Sequence, residues 1–128
     1  MARYPAKTFT RILDGEHVIN EANGTMSREQ ILLLRGAAIL PGTVLAKITV
    51  SGLWTPLNLA GADGSQNAAG VLRDGRDGLA GADTRRAVAH VRNCDLNGKK
   101  LIWPAGITTI QRKAAEAQLA ATGTLVRY

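Results

Sequence analysis

Aromatic side chains are scarce here: 128 residues hold five, Tyr4, Phe9, Trp54, Trp103 and Tyr128. The core must then be assembled from Val, Ile, Leu and many Ala, and small side chains bring backbones close together. Cysteine is scarcer still. Cys94 is alone, which rules out an intrachain disulfide and a secreted disulfide scaffold, and fits a reducing compartment. Long apolar runs are missing too. The longest uninterrupted aliphatic run, Ile31 to Leu34, falls far short of the roughly 20 residues that a membrane span needs. Residues 1–8 lack the apolar stretch of a secretory signal. The expectation is a soluble protein made in the cytoplasm, with no membrane partner. A chain of this length fits one domain and buries roughly two-thirds of its unfolded surface, enough to sustain a core without metals or disulfides.

What charge there is lies unevenly. The net charge is +6. Residues 1–84 carry eight Lys/Arg against eight Asp/Glu, whereas residues 85–128 carry eight (Arg85, Arg86, Arg92, Lys99, Lys100, Arg112, Lys113, Arg127) against two (Asp95, Glu116). Such a skew attracts nucleic acid or an acidic protein surface and governs encounter and solubility rather than fold. For any single residue a solvated basic face is the ordinary explanation.

Residues 1–26 are polar and broken by Asp14-Gly15 and Asn23-Gly24, without a sustained period, which reads as a flexible N-terminal arm. Within it Thr8-Phe9-Thr10-Arg11-Ile12-Leu13 is rich in strand formers. That suits a segment pairing with a sheet edge supplied by another protein, or equally a first strand of the domain's own sheet. His17 stands isolated in this arm. From Gln30 onward the pattern changes. Ile31 to Leu34, Ala37 to Leu40, Thr43 to Val50, Ala68 to Leu72 and Ala87 to Arg92 read as short strands, with Pro41-Gly42 as a turn. Trp54 to Asn67 reads mostly as loop, and Arg73 to Asp83, with its interleaved Gly and Asp, as an exposed connection. The one helix begins at Thr108. Thr108-Thr-Ile-Gln111 has capping-box spacing, and Gly123 supplies the stop. Ile110, Ala114, Ala117 and Ala121 share one stripe of this helix, while Ala115 and Leu119 form a second apolar patch. Two apolar patches suggest two neighbours, unless Leu119 is merely partly exposed. The fold class expected is α+β, β-rich: a small compact domain over residues 27–128, of short strands and one C-terminal helix, preceded by the arm.

Groups able to do chemistry are few. His90 and Cys94 lie four apart, but the alternation around His90 indicates a strand, and with only Asp95 nearby they fall short of a four-ligand zinc site. Gly61 to Gly70 is glycine-rich yet lacks the Gly-Lys-Ser/Thr of a phosphate loop. Arg73 to Gly78 lacks the spacing and terminal Glu of a calcium loop. Neither catalytic residues, nor a metal, nor a cofactor is expected. The basic third contains only Trp103 and Tyr128 as aromatics, and single-strand nucleic-acid binding wants more. Trp103, followed by Pro104, is better explained by packing.

Three strings occur in one order: Leu40-Pro-Gly-Thr-Val-Leu-Ala-Lys47, Asp63-Gly-Ser-Gln-Asn-Ala-Ala-Gly-Val-Leu72, and Trp103-Pro-Ala-Gly106 with the helix and Leu125-Val-Arg127 behind it. Taken together, at this chain length, they resemble the lambda-like bacteriophage head decoration protein family. The resemblance runs from about Ser27 to Arg127, weakens at Arg73 to Asp83 and fails across residues 1–26. It implies a non-enzymatic virion protein, synthesised in the host cytoplasm. Such proteins form homotrimers on the outer surface of the expanded capsid, at three-fold and quasi-three-fold sites, and reinforce it against internal DNA pressure. It also implies an arm that adds a strand to the major capsid protein, carried here by Thr8, Phe9, Thr10, Arg11, Ile12 and Leu13, with Phe9 and Ile12 in side-chain pockets. Trp103, Pro104, Ile110, Ala114, Ala117 and Leu119 are the residues expected in trimer or core packing. The alternative is a small basic DNA-binding protein using residues 85–128.

Overall fold

Alternation of side chains along β-strands accounts for most of the architecture. A computed structural model describes residues 15–24, 26–34, 39–73 and 84–128. The strands among them are β1 (Val18–Glu21), β2 (Arg28–Leu34), β3 (Val44–Lys47), β4 (Trp54–Pro56), β5 (Ala68–Leu72), β6 (Thr84–His90), β7 (Cys94–Asn97) and β8 (Thr124–Arg127). A 3-10 turn spans Gly98–Lys100, and the helix α1 spans Thr109–Ala120. Five strands close into a barrel in the order β2-β4-β3-β5-β6, and the other three form a sheet in the order β1-β7-β8. The pairings are mostly antiparallel, but β4 runs parallel to β2 and β8 parallel to β7.

In β2, Ile31 and Leu33 point into the barrel while Gln30, Leu32 and Leu34 face outward. Opposite it in β6, Ala87 and Ala89 take the inward positions. Leu45, Trp54 and Leu72 fill the rest of this interior. A second core lies between the barrel wall, the three-stranded sheet and α1. It contains Val44, Val71, Leu96, Leu101, Ala115 and Leu119. Strand β3 serves both, with Leu45 turned into the barrel and Val44 and Ala46 turned to the second core. Each fully buried Leu contributes on the order of 2 kcal/mol through burial, so both cores rest on aliphatic packing, with Trp54 buried in the barrel and Trp103 partly buried against the second core.

The helix starts and stops where local chemistry directs. Gln111 N donates to Thr108 Oγ1 at 3.2 Å and Thr108 N donates to Gln111 Oε1 at 3.0 Å, completing the capping box. After α1, Thr122 N donates to the Leu119 carbonyl and Gly123 N to that of Ala120.

Several expectations are corrected. Trp54 to Asn67 is mostly loop as expected, but its first three residues, Trp54–Pro56, form a strand that pairs with both β2 and β3. The strand expected over 43–50 is shorter, as the chain turns after Lys47. Thr49 N donates to the Asp63 carbonyl at 2.9 Å, and Val50 is 95% exposed. Strand β7 was not expected at all. The segment expected to be an arm up to residue 26 contains β1, which pairs with β7, so the folded body reaches back to Gly15. Ala37 and Ala38, most of the connection after Arg73, and Thr8 to Leu13 lie outside the described residues.

Candidate functional site

The glycine-rich string Asp63 to Ala68 is a turn that satisfies its own backbone. Asp63 Oδ1 accepts from Ser65 Oγ at 2.5 Å and from Ser65 N at 3.2 Å, and the hydroxyl holds this carboxyl below its usual range. Gly64 N donates to Gln66 Oε1 at 2.9 Å and Asn67 N to the Gly64 carbonyl at 3.1 Å. From α1, Gln118 Oε1 accepts from Ala68 N at 2.8 Å while its Nε2 donates to Asn67 Oδ1 at 3.0 Å. Gly64 has φ +103, and a Cβ there would lie 2.6 Å from the Lys47 carbonyl oxygen, so no other residue fits. A phosphate-binding loop presents free amides to its ligand. Here those amides are already engaged, and the string ties the end of β3 to α1.

The Pro41-Gly42 turn is a junction of the same kind. Thr43 Oγ1 donates to the Leu40 carbonyl at 2.7 Å, Gly42 N donates to the Leu72 carbonyl at 2.8 Å, and Ile102 N donates to the Gly42 carbonyl at 2.8 Å. Val44 N in turn donates to the Ile102 carbonyl at 3.1 Å. These bonds hold the segment before α1 against the barrel. Trp103 then packs partly buried on the second core, beside a shallow notch lined by Thr43, Pro56, Leu57, Ile102 and Pro104.

The two apolar patches of α1 have different fates. Ala115 and Leu119 are buried in the core, so Leu119 is not partly exposed but fully enclosed. Ala114, Ala117 and Ala121 are exposed, and Ile110 is 82% exposed, with no neighbour covering it in the single chain. On another sector Glu116 accepts a hydrogen bond from the Tyr128 hydroxyl, and the Arg112 guanidinium sits 5.6 Å from that ring's centroid. Burial and then the Glu116 bond push the Tyr128 phenol up to about 12. The six residues expected in trimer or core packing therefore divide. Trp103, Pro104 and Leu119 line or enter the protomer's own core region, whereas Ile110, Ala114 and Ala117 share an outward face.

Sequence reading missed one polar arrangement altogether. His17, seemingly isolated, is fully buried beside a fully buried His90, with ring centroids 5.7 Å apart and planes at 82°. His90 Nε2 lies 2.7 Å from Glu21 Oε2, and Arg28 grips the same carboxylate through Nη2 at 2.5 Å and Nε at 3.1 Å. The Arg28 guanidinium, aided by His90, lowers the Glu21 carboxyl to about 2. Burial, with His90 and Arg73 nearby, lowers His17 to about 4. No spacing in the sequence signals this pair, because β1 and β6 meet only in the fold. The neighbouring Cys94 is buried, with its thiol pushed up by desolvation. Nucleophilic chemistry needs a base beside an activated nucleophile, and this arrangement supplies only structural contacts. Among the described residues no group of three His, Cys, Asp or Glu side chains is placed to hold a metal ion, and no helix is long and apolar enough to cross a membrane.

The site with exposed, unpartnered character is thus a surface: the outward face of α1. Thr8 to Leu13, expected as the capsid-binding arm, fall outside the described residues. A comparison with curated proteins finds no match. The family model of bacteriophage lambda head decoration protein D matches residues 8–124, beginning well before the Ser27 at which the resemblance in sequence was expected to start. The chain therefore belongs to the bacteriophage lambda head decoration protein D family.

Proposed function

We propose that this protein binds as a homotrimer to the outer surface of an expanded phage capsid, at three-fold and quasi-three-fold positions, and stabilises the shell against internal DNA pressure. Membership of the head decoration family supports the capsid as its location. The observation that carries self-assembly is the α1 face: Ile110 is 82% exposed and continues into exposed Ala114, Ala117 and Ala121. A helix in a small domain normally turns its apolar stripe inward. This one turns Ala115 and Leu119 inward and leaves a second, flat, small-residue stripe available for another subunit.

Anchoring to the shell is assigned to Thr8 to Leu13, added as a strand to the major capsid protein. In that mode affinity rests on main-chain hydrogen bonds, with Phe9 and Ile12 giving specificity. The work is mechanical and needs no catalytic group. Co-sedimentation decides between this reading and a DNA-binding one. The purified chain should pellet with empty expanded capsids and saturate them in multiples of three. Failure to bind such capsids, together with sub-micromolar DNA binding at physiological salt, would sink it, since non-specific association there is typically no tighter than about 10⁻⁶ M.

A further inference from the structure

Buried imidazoles normally find a partner for each ring nitrogen. Among the described residues, only His90 Nε2 of the four ring nitrogens in His17 and His90 has one, Glu21 Oε2 at 2.7 Å. Both rings have no exposed surface, and they meet edge to face. Among the described residues, the charged groups that bear on their titration come from four places. Strand β1 contributes Glu21, β2 contributes Arg28, the residue after β5 is Arg73, and β6 contributes His90 itself. The remaining neighbours of His17 approach with backbone: Asn97 N of β7 donates to its carbonyl at 2.7 Å, and the Gly42 turn lies close to Nδ1.

Strand β1 is otherwise lightly held. Of its side chains Val18 packs on the second core, while Ile19 is 55% exposed and Asn20 is exposed. Among the described residues its backbone ties are the pairing with β7, the Asn97 N bond to the His17 carbonyl, Ala22 N donating to Ser27 Oγ at 2.9 Å and to the Asn93 carbonyl at 3.2 Å beyond its end, and Gly15 N donating to the Arg73 carbonyl at 3.2 Å before its start. A strand with so little apolar burial opens more easily than the core strands.

We propose that the buried His17–His90 pair is an acid-operated latch on β1: when the pair takes up a proton, residues 15–22 leave β6 and β7 while the barrel and α1 stay folded. The proton adds to a ring nitrogen lone pair and no other bond changes. The imidazolium so formed has an N–H with no acceptor among the described residues, and it faces a second imidazole and the Arg73 charge. Water offers the missing acceptor only if β1 opens. Glu21, gripped by Arg28, stays ionised through this range and cannot relieve His17, because its Oε2 is committed to His90 and Arg28. The two imidazoles titrate as one coupled unit. In the open strand His17 titrates near 6.5, whereas burial holds it to about 4 in the closed one. Opening is therefore favoured as pH falls between those values, by on the order of a hundredfold at pH 4.5.

Amide hydrogen exchange on the full chain, normalised for the intrinsic rate at each pH, tests this directly. Asn97 and Ala22 report on β1, since their amides donate to the His17 and Asn93 carbonyls. Leu57 and Leu72, which donate to the Val44 and Thr43 carbonyls, report on the barrel. Between pH 7 and 4.5 protection should drop on the order of a hundredfold at Asn97 and Ala22, and at every pH it should lie well below that at Leu57 and Leu72, which open only when the whole body unfolds. In His17→Phe the drop should vanish. If Asn97 and Ala22 are protected as strongly as Leu57 and Leu72, or if their protection does not change with pH, the latch does not exist. Should His17→Phe fail to fold, the imidazole resonances of the unaltered protein decide: His17 must titrate in step with the loss of protection at Ala22. A His17 ring that titrates near 6.5 without opening of β1 overturns the proposal.

Discussion

The ring of Tyr128 occupies the space where a side chain on Gly98 would stand. Residue 98 sits in the turn after β7, and the ring continues from there to Glu116 and Arg112 on α1. One aromatic residue thus links the sheet, the turn and the helix.

Replacing Gly98 by Ala should displace that ring and destabilise the protein by about 1–3 kcal/mol, the usual cost of overpacking. Urea unfolding of Gly98→Ala, Tyr128→Ala and the double variant checks it. Because the two residues share one space, the double variant should lose less than the sum of the single ones. Strict additivity would mean the contact is not made.

The outward face of α1 should behave differently from the inward one. Sedimentation equilibrium should give a trimer for the unaltered chain, and Ile110→Glu or Ala117→Glu should shift it to a folded monomer. Glu116→Lys, on another sector, should leave the trimer intact. Leu119→Ala should instead lower stability by roughly 2–5 kcal/mol without a selective effect on association, because Leu119 is in the protomer's core. Association unaffected by Ile110→Glu and Ala117→Glu would move the interface elsewhere.

Deleting residues 1–13 should preserve both the trimer and the melting temperature if this polar, Gly-broken segment serves only as the capsid anchor. Capsid binding should be lost or greatly weakened. Phe9→Ala should weaken it in part, and Thr10→Pro should be worse than Thr10→Ala if that amide pairs with the shell. Undiminished decoration by the truncated chain would place the binding surface on the folded body.

Acid should lower stability in two stages of the same sign. His17 is neutral in the fold and protonated below about 6.5 when exposed, so the unfolded chain binds more protons and stability falls as pH drops from 6.5 to about 4. Glu21 is depressed from 4.5 to about 2, so its contribution is fully present above 4.5 and is lost as pH falls towards 2. Melting temperatures measured from pH 7 to 3 should decline monotonically, and Glu21→Gln should flatten the lower stage. A maximum near pH 4 contradicts both assignments.

How much of this was legible in the sequence depended on how local the cause was. The α1 cap is a property of Thr108 and Gln111 alone, and it was read correctly, as were β5 and the aliphatic stretch within β2. Strand β1 was not. Val18-Ile19-Asn20-Glu21 shows no alternation, and its conformation comes from pairing with β7 much later in the chain. Strand β7 does alternate, with Cys94 and Leu96 buried between half-buried Asp95 and Asn97, but four residues are too few to stand out. Trp54–Pro56 owes its strand form to partners on both sides rather than to composition. The His17–His90 contact left no trace, since nothing in the neighbourhood of either residue refers to the other. For the candidate site, the stripe Ile110, Ala114, Ala117 and Ala121 was visible as a period, but which stripe turned inward was decided by packing against β5 and β8.

Strand β3 is a wall with a room on each side. Leu45 belongs to the barrel interior, and its neighbours Val44 and Ala46 belong to the core beneath α1. Neither core has a boundary of its own at that point, so a load applied to the outward face of α1 cannot be absorbed by α1 sliding alone. It must also shift Val44, and with it Leu45 and the barrel. Force entering at one face is thereby shared across both aliphatic cores, and the body should yield to strain as one piece rather than layer by layer.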